Sequence, residues 1–198
     1  MLGTAFCYVY VYTFFQTWFH TFLVKGRGFA EGSLVLSALP YVVAACANLT
    51  GGAASDALVR RLGVKWGRRS LGIAGLSSAG LCTLAVIITR QQLLTVILLS
   101  LVYGAITFQQ SGVFGVCLDI GRKHAGSMVG LMNTSAQVGG LLSSVAYGYI
   151  VERFGSYDAP FVPMAAVLFL GALLWFKIDA SKELSVESVA VPVPAPAR

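Results

Sequence analysis

Six stretches of this sequence carry no charged side chain, and each is about as long as a bilayer's hydrocarbon core is thick. Residues 2–24 make a run of 23, 32–55 of 24, 70–89 of 20, 91–118 of 28, 125–151 of 27 and 159–176 of 18. Together they take up 140 of the 198 positions. A helix that crosses the membrane needs about 20 mostly apolar residues. Outer-membrane strands would instead alternate apolar and polar over segments of about 10 residues, and these runs do not. The expected fold class is an all-α membrane protein with six transmembrane helices. Composition closes the soluble alternative. Charged residues make up 11% of the chain and its mean hydropathy is +0.77, where a soluble domain carries about 25% charge. A water-soluble enzyme is thereby excluded.

The net charge of +6 could suggest a nucleic-acid partner, but its placement points to a lipid surface. Lys and Arg concentrate on the cytoplasmic side of membrane proteins. The gaps after the second and fourth runs and the stretch after the sixth hold ten basic residues, against four in the other gaps. The ten are Arg60, Arg61, Lys65, Arg68, Arg69, Arg122, Lys123, Lys177, Lys182 and Arg198. The four are Lys25, Arg27, Arg90 and Arg153. Both termini are therefore expected in the cytoplasm. No nucleic-acid partner is expected. Cys7, Cys46, Cys82 and Cys117 all lie inside apolar runs and form no C-x-x-C pair. They read as small buried hydrophobes rather than a disulfide or zinc framework. The first run lacks the basic leader of a signal peptide and reads as a true span. Residues 181–198 end in alternating prolines, which cannot build a helical ladder, so a disordered cytoplasmic tail is expected there.

Polarity is uneven among the runs. The first contains Tyr8, Tyr10, Tyr12, Thr13, Gln16, Thr17, Trp18 and His20. Tyr12 and Gln16 are four apart and share a helix face. The fourth contains Thr107, Gln109, Gln110 and Ser111, and the fifth Asn133, Thr134, Ser135 and Gln137. Polar groups in hydrocarbon turn toward a bundle interior or a cavity, so these three spans are expected to line one. The third and sixth read as supporting or lipid-facing helices. In the fifth, Gly126 with Gly130, and Gly140 with Ser144 and Gly148, have the spacing that lets helix backbones approach. No Asp, Glu, Lys or Arg stands at the centre of any run, so the chain supplies no intramembrane carboxylate for proton coupling. His20 and His124 lie near span ends with no Ser at a suggestive spacing, and no phosphate-binding glycine motif is present. No enzymatic activity, cofactor or metal site is expected.

The most specific local pattern is Gly51-Gly52-Ala-Ala-Ser55-Asp56-Ala-Leu-Val-Arg60-Arg61-Leu-Gly63, followed by Gly67-Arg68-Arg69. Asp56 and Arg60 are four apart and can pair on one helix face. The pattern resembles the signature loop of the major facilitator superfamily, in its copy between helices eight and nine. Phe14-Phe15-Gln16-Thr17-Trp18-Phe19-His20-Thr21-Phe22-Leu23 resembles the seventh helix of the anion:cation symporter family, with His20 where that family usually has Pro. Gly26-Arg27-Gly28-Phe29 is similar to the external loop that follows. The stretch from Asp119-Ile120-Gly121-Arg122-Lys123-His124-Ala125-Gly126 through Gly130, Asn133 and Gly139-Gly140 to Gly148 resembles its tenth-to-eleventh helix region. There Gly121 replaces a common Ala, and Phe114 stands where many bacterial members have Trp.

The resemblance covers residues 1–180 and implies the C-terminal six-helix half of a twelve-helix transporter. It implies a small organic anion, a sugar acid or carboxylate, as substrate. It also implies proton coupling, an N-terminal six-helix half as partner, and a bacterial inner membrane as location. The anion-binding Arg and proton-carrying carboxylates belong to that other half. This half would contribute Tyr12, Gln16, Gln110, Ser111, Phe114 and Asn133 to the substrate. Asp56, Arg60, Arg61, Arg68 and Arg69 would form a conformational latch. The chain is then expected to be a fragment, a truncated reading frame or half of a split protein. A half-size protein acting as a homodimer, or a non-transporting remnant, are the alternatives.

Overall fold

The computed structural model describes residues 1–30 and 34–181. Among these the chain is helical and contains no strand. Helix α1 (Leu2–Thr17) continues through a break at Trp18 into the short α2 (Phe19–Thr21) and a π-helical turn, Phe22–Gly26. Helix α3 (Leu34–Ile88) is interrupted at Gly63, whose φ of 76° and ψ of 165° are not helical. Only glycine adopts that backbone without strain, so the bend falls where the sequence places Leu62-Gly63. It divides α3 into a first arm, 34–62, and a second arm, 64–88. Helix α4 (Gln92–Gly121) joins α5 (Ala125–Phe154) through a 3-10 turn, Arg122–His124, and α6 (Phe161–Trp175) completes the bundle. Gly155, at φ 61°, ends α5 and returns its N–H to the Val151 carbonyl at 2.9 Å, the usual left-handed glycine stop. Two stretches, Leu36–Ile88 and Gln92–Phe154, are long and apolar enough to cross a membrane, and Phe161–Trp175 is a shorter apolar helix. The tail expected from residue 181 is described only at Ser181, which hydrogen-bonds Asp179. Residues 182–198, with Lys182 and Arg198, lie outside the described residues.

Side-chain contacts fix the direction of each rod. The first arm of α3 runs parallel to α4, with Val43 at Gly104 and Ser55 near Gly112. The second arm runs antiparallel to α4, with Leu71 at Gly112 and Gln109 at Gly75. Helix α5 folds back on α4, bringing the Met132 sulfur 3.5 Å from the Cys117 thiol. It runs parallel to α1: Ser135 donates to the Leu2 carbonyl at 3.1 Å and the Trp18 indole to the Ser144 carbonyl at 3.2 Å. Helix α6 is antiparallel to α1, with Leu174 at Gly3 and Phe161 against Phe22.

Rods that follow one another along the chain therefore alternate in direction, and charge collects at two ends. One end holds Asp56, Arg68, Asp119 and Asp179, the other Arg27, Arg90 and Asp158.

An aromatic cluster closes the interior near the second end. Phe14 meets Phe15, Phe19, Phe22, Tyr147 and Phe161 at centroid distances of 5.2 to 6.3 Å. The second arm of α3 and α6 act as supports, contributing buried Leu76, Ala79, Val86, Leu168 and Trp175. The outer faces expose Leu49, Leu81, Ile88, Leu141 and Leu173, and apolar residues all around a helix fit a lipid surround.

Three expectations about packing are corrected. Cys46 is exposed, although Cys7 and Cys117 are buried, because it lies on the outer side of the first arm. A Cβ added at Gly126 or Gly130 would meet nothing within 4 Å, whereas one added at Gly139 would stand 2.5 Å from the Phe6 carbonyl oxygen. The close approach of α5 to α1 is thus made at Gly139 and along the Gly140-Ser144-Gly148 run, which faces Thr13 and Trp18, and not at Gly126 and Gly130. Asp56 pairs with Arg68 and makes no ion pair with Arg60 among the described residues, because Arg68 returns beneath the first arm after the Gly63 bend.

Candidate functional site

Helices α1, α4 and α5 enclose an open cavity of about 490 Å³, lined by Tyr8, Val9, Tyr12, Thr13, Gln16, Gln110, Asn133, Ala136 and Gln137. Its polar groups are four carboxamides, two phenols and one hydroxyl, with no charged side chain. Spacing explains the convergence. Tyr8, Tyr12 and Gln16 follow one another at i,i+4 on α1, and Asn133 and Gln137 do so on α5. The Gly139–Phe6 approach brings these two faces together. Gln16, Asn133 and Gln137 are exposed toward the open side, where their amides can donate and accept hydrogen bonds. Such a surface binds the oxygens of a polar solute but supplies no countercharge to an anion.

Four of the six expected binding residues, Tyr12, Gln16, Gln110 and Asn133, line this cavity. Ser111 and Phe114 do not. Ser111 is turned about 100° from Gln110 around α4, and its hydroxyl donates to the Phe108 carbonyl at 2.9 Å, beside Gly51 of α3. Phe114 shares the Gln110 face but stands one turn nearer the Asp119 end, 37% exposed and outside the cavity wall. Tyr8, Thr13 and Gln137 line the wall without having been selected, although all were visible as polar residues in apolar runs. Tyr103 is the larger omission. It accepts a hydrogen bond from Gln16 Nε2 at 2.9 Å and packs on Tyr12 at a centroid distance of 5.2 Å. The sequence signal was its seven-residue spacing from Gln110, which puts both on one face.

The expected latch residues divide into three groups. Arg68 is largely buried. Its Nε donates to Asp119 Oδ2 at 3.1 Å and its Nη1 to Ser55 Oγ at 2.5 Å, and Nη1 lies 3.5 Å from Asp56 Oδ1. It ties the first arm of α3 to α4. Arg60 and Arg61 are exposed. Arg69 is turned inward: Nε and Nη2 donate to the Ile178 carbonyl at 3.2 and 2.7 Å, and its guanidinium lies 4.9 Å from the Trp66 ring centroid. Arg69 thus anchors the segment that follows α6. Lys65 reinforces that anchor with Asp179 at 2.8 Å, and its hydrogen bond holds the Asp179 carboxyl well below the ordinary carboxylate range. Among the described residues no cluster of His, Cys, Asp or Glu could hold a metal ion.

The Major Facilitator Superfamily matches residues 1–144. A probable sulfoacetate transporter of Cupriavidus necator is 35% identical over 170 residues, 85% of this chain and 40% of that protein. The probable anion transporter 2, chloroplastic, of Oryza sativa subsp. japonica is 29% identical over 149 residues, 75% of this chain and 28% of its own length. The chloroplastic ascorbate transporter of Arabidopsis thaliana is 28% identical over 177 residues, 88% of this chain and 32% of that protein. The chain therefore spans less than half the length of these relatives.

Proposed function

The chain belongs to the major facilitator superfamily, and from that premise we propose that it forms one six-helix half of a transporter for small organic anions. It is an integral membrane protein. In this reading α1 with α2, the two arms of α3, α4, α5 and α6 are the six spans, and the Arg68 end with both termini faces the cytoplasm of a bacterial inner membrane. The observation that carries the proposal is the neutral cavity. Four carboxamides and two phenols on α1, α4 and α5 can bind carboxylate, sulfonate or hydroxyl oxygens, while the cation that balances the anion comes from a second, N-terminal half. Sulfoacetate and ascorbate, named for two relatives, are small anions of that kind, and a sugar acid or other carboxylate would fit the same chemistry. Proton coupling is assigned to the N-terminal half, because this chain has no mid-span carboxylate. Substrate sites of such transporters lie at the interface of the halves near the midplane.

The test is uptake of radiolabelled sulfoacetate into proteoliposomes holding this chain with the N-terminal six-helix half of the Cupriavidus relative. Uptake is expected with both halves under an inward proton gradient, and not with either alone. Uptake by this chain alone, with crosslinked dimers, would instead establish the homodimer. No uptake in any combination would remove the transport reading. In the active pair, Asn133→Ala should raise KM about tenfold, as loss of a hydrogen bond to a charged group does, at unchanged membrane abundance. An unchanged KM takes Asn133 out of the site.

The proposed latch is the surface presented by Asp56, 65% exposed, with Arg60 and Arg61, set in place by the Arg68–Asp119 contact. Those charges would meet the facing half when the cytoplasmic side is closed, since alternating access requires contacts that differ between states. Asp56→Asn should lower the turnover rate several-fold and leave KM nearly constant. Equal turnover in the variant would dismiss the latch.

A further inference from the structure

One cavity side chain is held from behind by a residue that is not part of the cavity wall. Tyr103 is 3% exposed and lies two helical turns from Gln110 on α4. Its hydroxyl accepts the Gln16 amide at 2.9 Å. Its ring stacks on Phe15 at 4.4 Å with planes 14° apart, and meets Tyr12 at 5.2 Å and Tyr41 edge-on at 5.5 Å. Tyr41, from the first arm of α3, donates its hydroxyl to the Phe15 carbonyl at 2.5 Å. The last turn of α1, just before its break at Trp18, is therefore gripped from two other helices. Gln16 projects into the cavity from that turn and Tyr12 from the turn before it. A glutamine left free would have to order three torsions when a solute arrives, and ordering them beforehand raises affinity without any new solute contact.

We infer that Tyr103 is a positioning residue of the solute site: its hydroxyl fixes the Gln16 carboxamide, and its ring fixes Tyr12. The consequence for transport rests on the function proposed above, whereas the hold on Gln16 stands on the contact itself. Tyr103→Phe separates the two, because it keeps the ring and its stacking and removes only the hydroxyl.

The first measurement is on the chain alone, in nanodiscs, with nitrogen-15-labelled glutamine. Tyr103→Phe should shift the Gln16 side-chain amide resonances and leave those of Gln110 and Gln137 in place. An unmoved Gln16 signal overturns the inference whatever the protein transports. The second is uptake of radiolabelled sulfoacetate by the two-half assembly. Tyr103→Phe should raise KM about fivefold at constant kcat and abundance, and should add nothing in a Gln16→Ala background. A full additive effect, or a fall in kcat at constant KM, overturns the positioning role. Absence of uptake by the unmodified pair defeats the transport reading, and the resonance measurement then still decides whether Tyr103 holds Gln16.

Discussion

Asp158→Ala is expected to lower the unfolding free energy of the bundle by about 3–5 kcal/mol, the cost of leaving a buried charge without its partner. The charge is Arg27, whose side chain is 4% exposed. Its Nη1 donates to Asp158 Oδ2 at 3.0 Å, and Nη2 makes an ion contact with Oδ1 at 2.7 Å. Further bonds run to the Val86 carbonyl at 3.1 Å and Thr95 Oγ1 at 3.4 Å, and the guanidinium lies 4.9 Å from the Phe22 ring centroid. One cation thus joins the π-helical turn after α2, the end of α3, the start of α4 and the loop before α6. Arg90 shares Asp158 Oδ2 at 3.0 Å but is 80% exposed, so Arg90→Ala should cost less than about 1 kcal/mol. Unfolding of the purified chain in mixed micelles by increasing sodium dodecyl sulfate would measure both. Equal losses for the two variants would mean that Arg27 is solvated after all and that the cluster is a surface network.

This cluster shows where sequence reading stopped. Arg27 and Arg90 were legible as charges in short gaps, and Asp158 as an acid at a span end. Nothing in their order says that one aspartate from a later loop enters beneath both arginines. The helical character of the chain was legible because the medium sets it: a charge inside hydrocarbon is costly, so uncharged runs mark helices. Helical period then assigned one face of the cavity, since Tyr12 and Gln16 are four apart on α1; the same repeat joins Asn133 to Gln137 on α5, but only Asn133 was selected. Ser111 was grouped with its neighbour Gln110 as a substrate residue, yet the turn of about 100° between them puts it in the α3–α4 contact beside Gly51. Tyr103 was passed over because a tyrosine in an apolar run looks the same whether its hydroxyl is idle or holds a neighbour. Arg69 was grouped with the latch by adjacency, yet successive helical residues point about 100° apart, and that turn carries its guanidinium inward to Ile178.

The second large effect is expected at Gly51, and its control is the next residue. A Cβ at Gly51 would collide with the backbone carbonyl of Phe108 and stand 2.9 Å from Ser111 Oγ, whereas a Cβ at Gly52 would meet nothing within 4 Å. A flexible side chain can swing aside, but a carbonyl in the middle of α4 moves only with the helix. Gly51→Ala should therefore cost about 2–3 kcal/mol, near the top of the range for overpacking. Gly52→Ala should be neutral or gain up to about 1 kcal/mol, because alanine is the better helix former. The same detergent titration reads both. The damage at Gly51 should also travel one turn along the first arm of α3, since Ser55 holds Arg68 at 2.5 Å and Arg68 holds Asp119 of α4 at 3.1 Å. Separating the arm from α4 stretches that bridge, so an added Asp119→Asn change should cost less in Gly51→Ala than in the unmodified chain. If the two glycine variants behave alike, the first arm and α4 do not approach at backbone distance. The Gly51-Gly52 pair would then have to be explained by contacts outside this helical bundle.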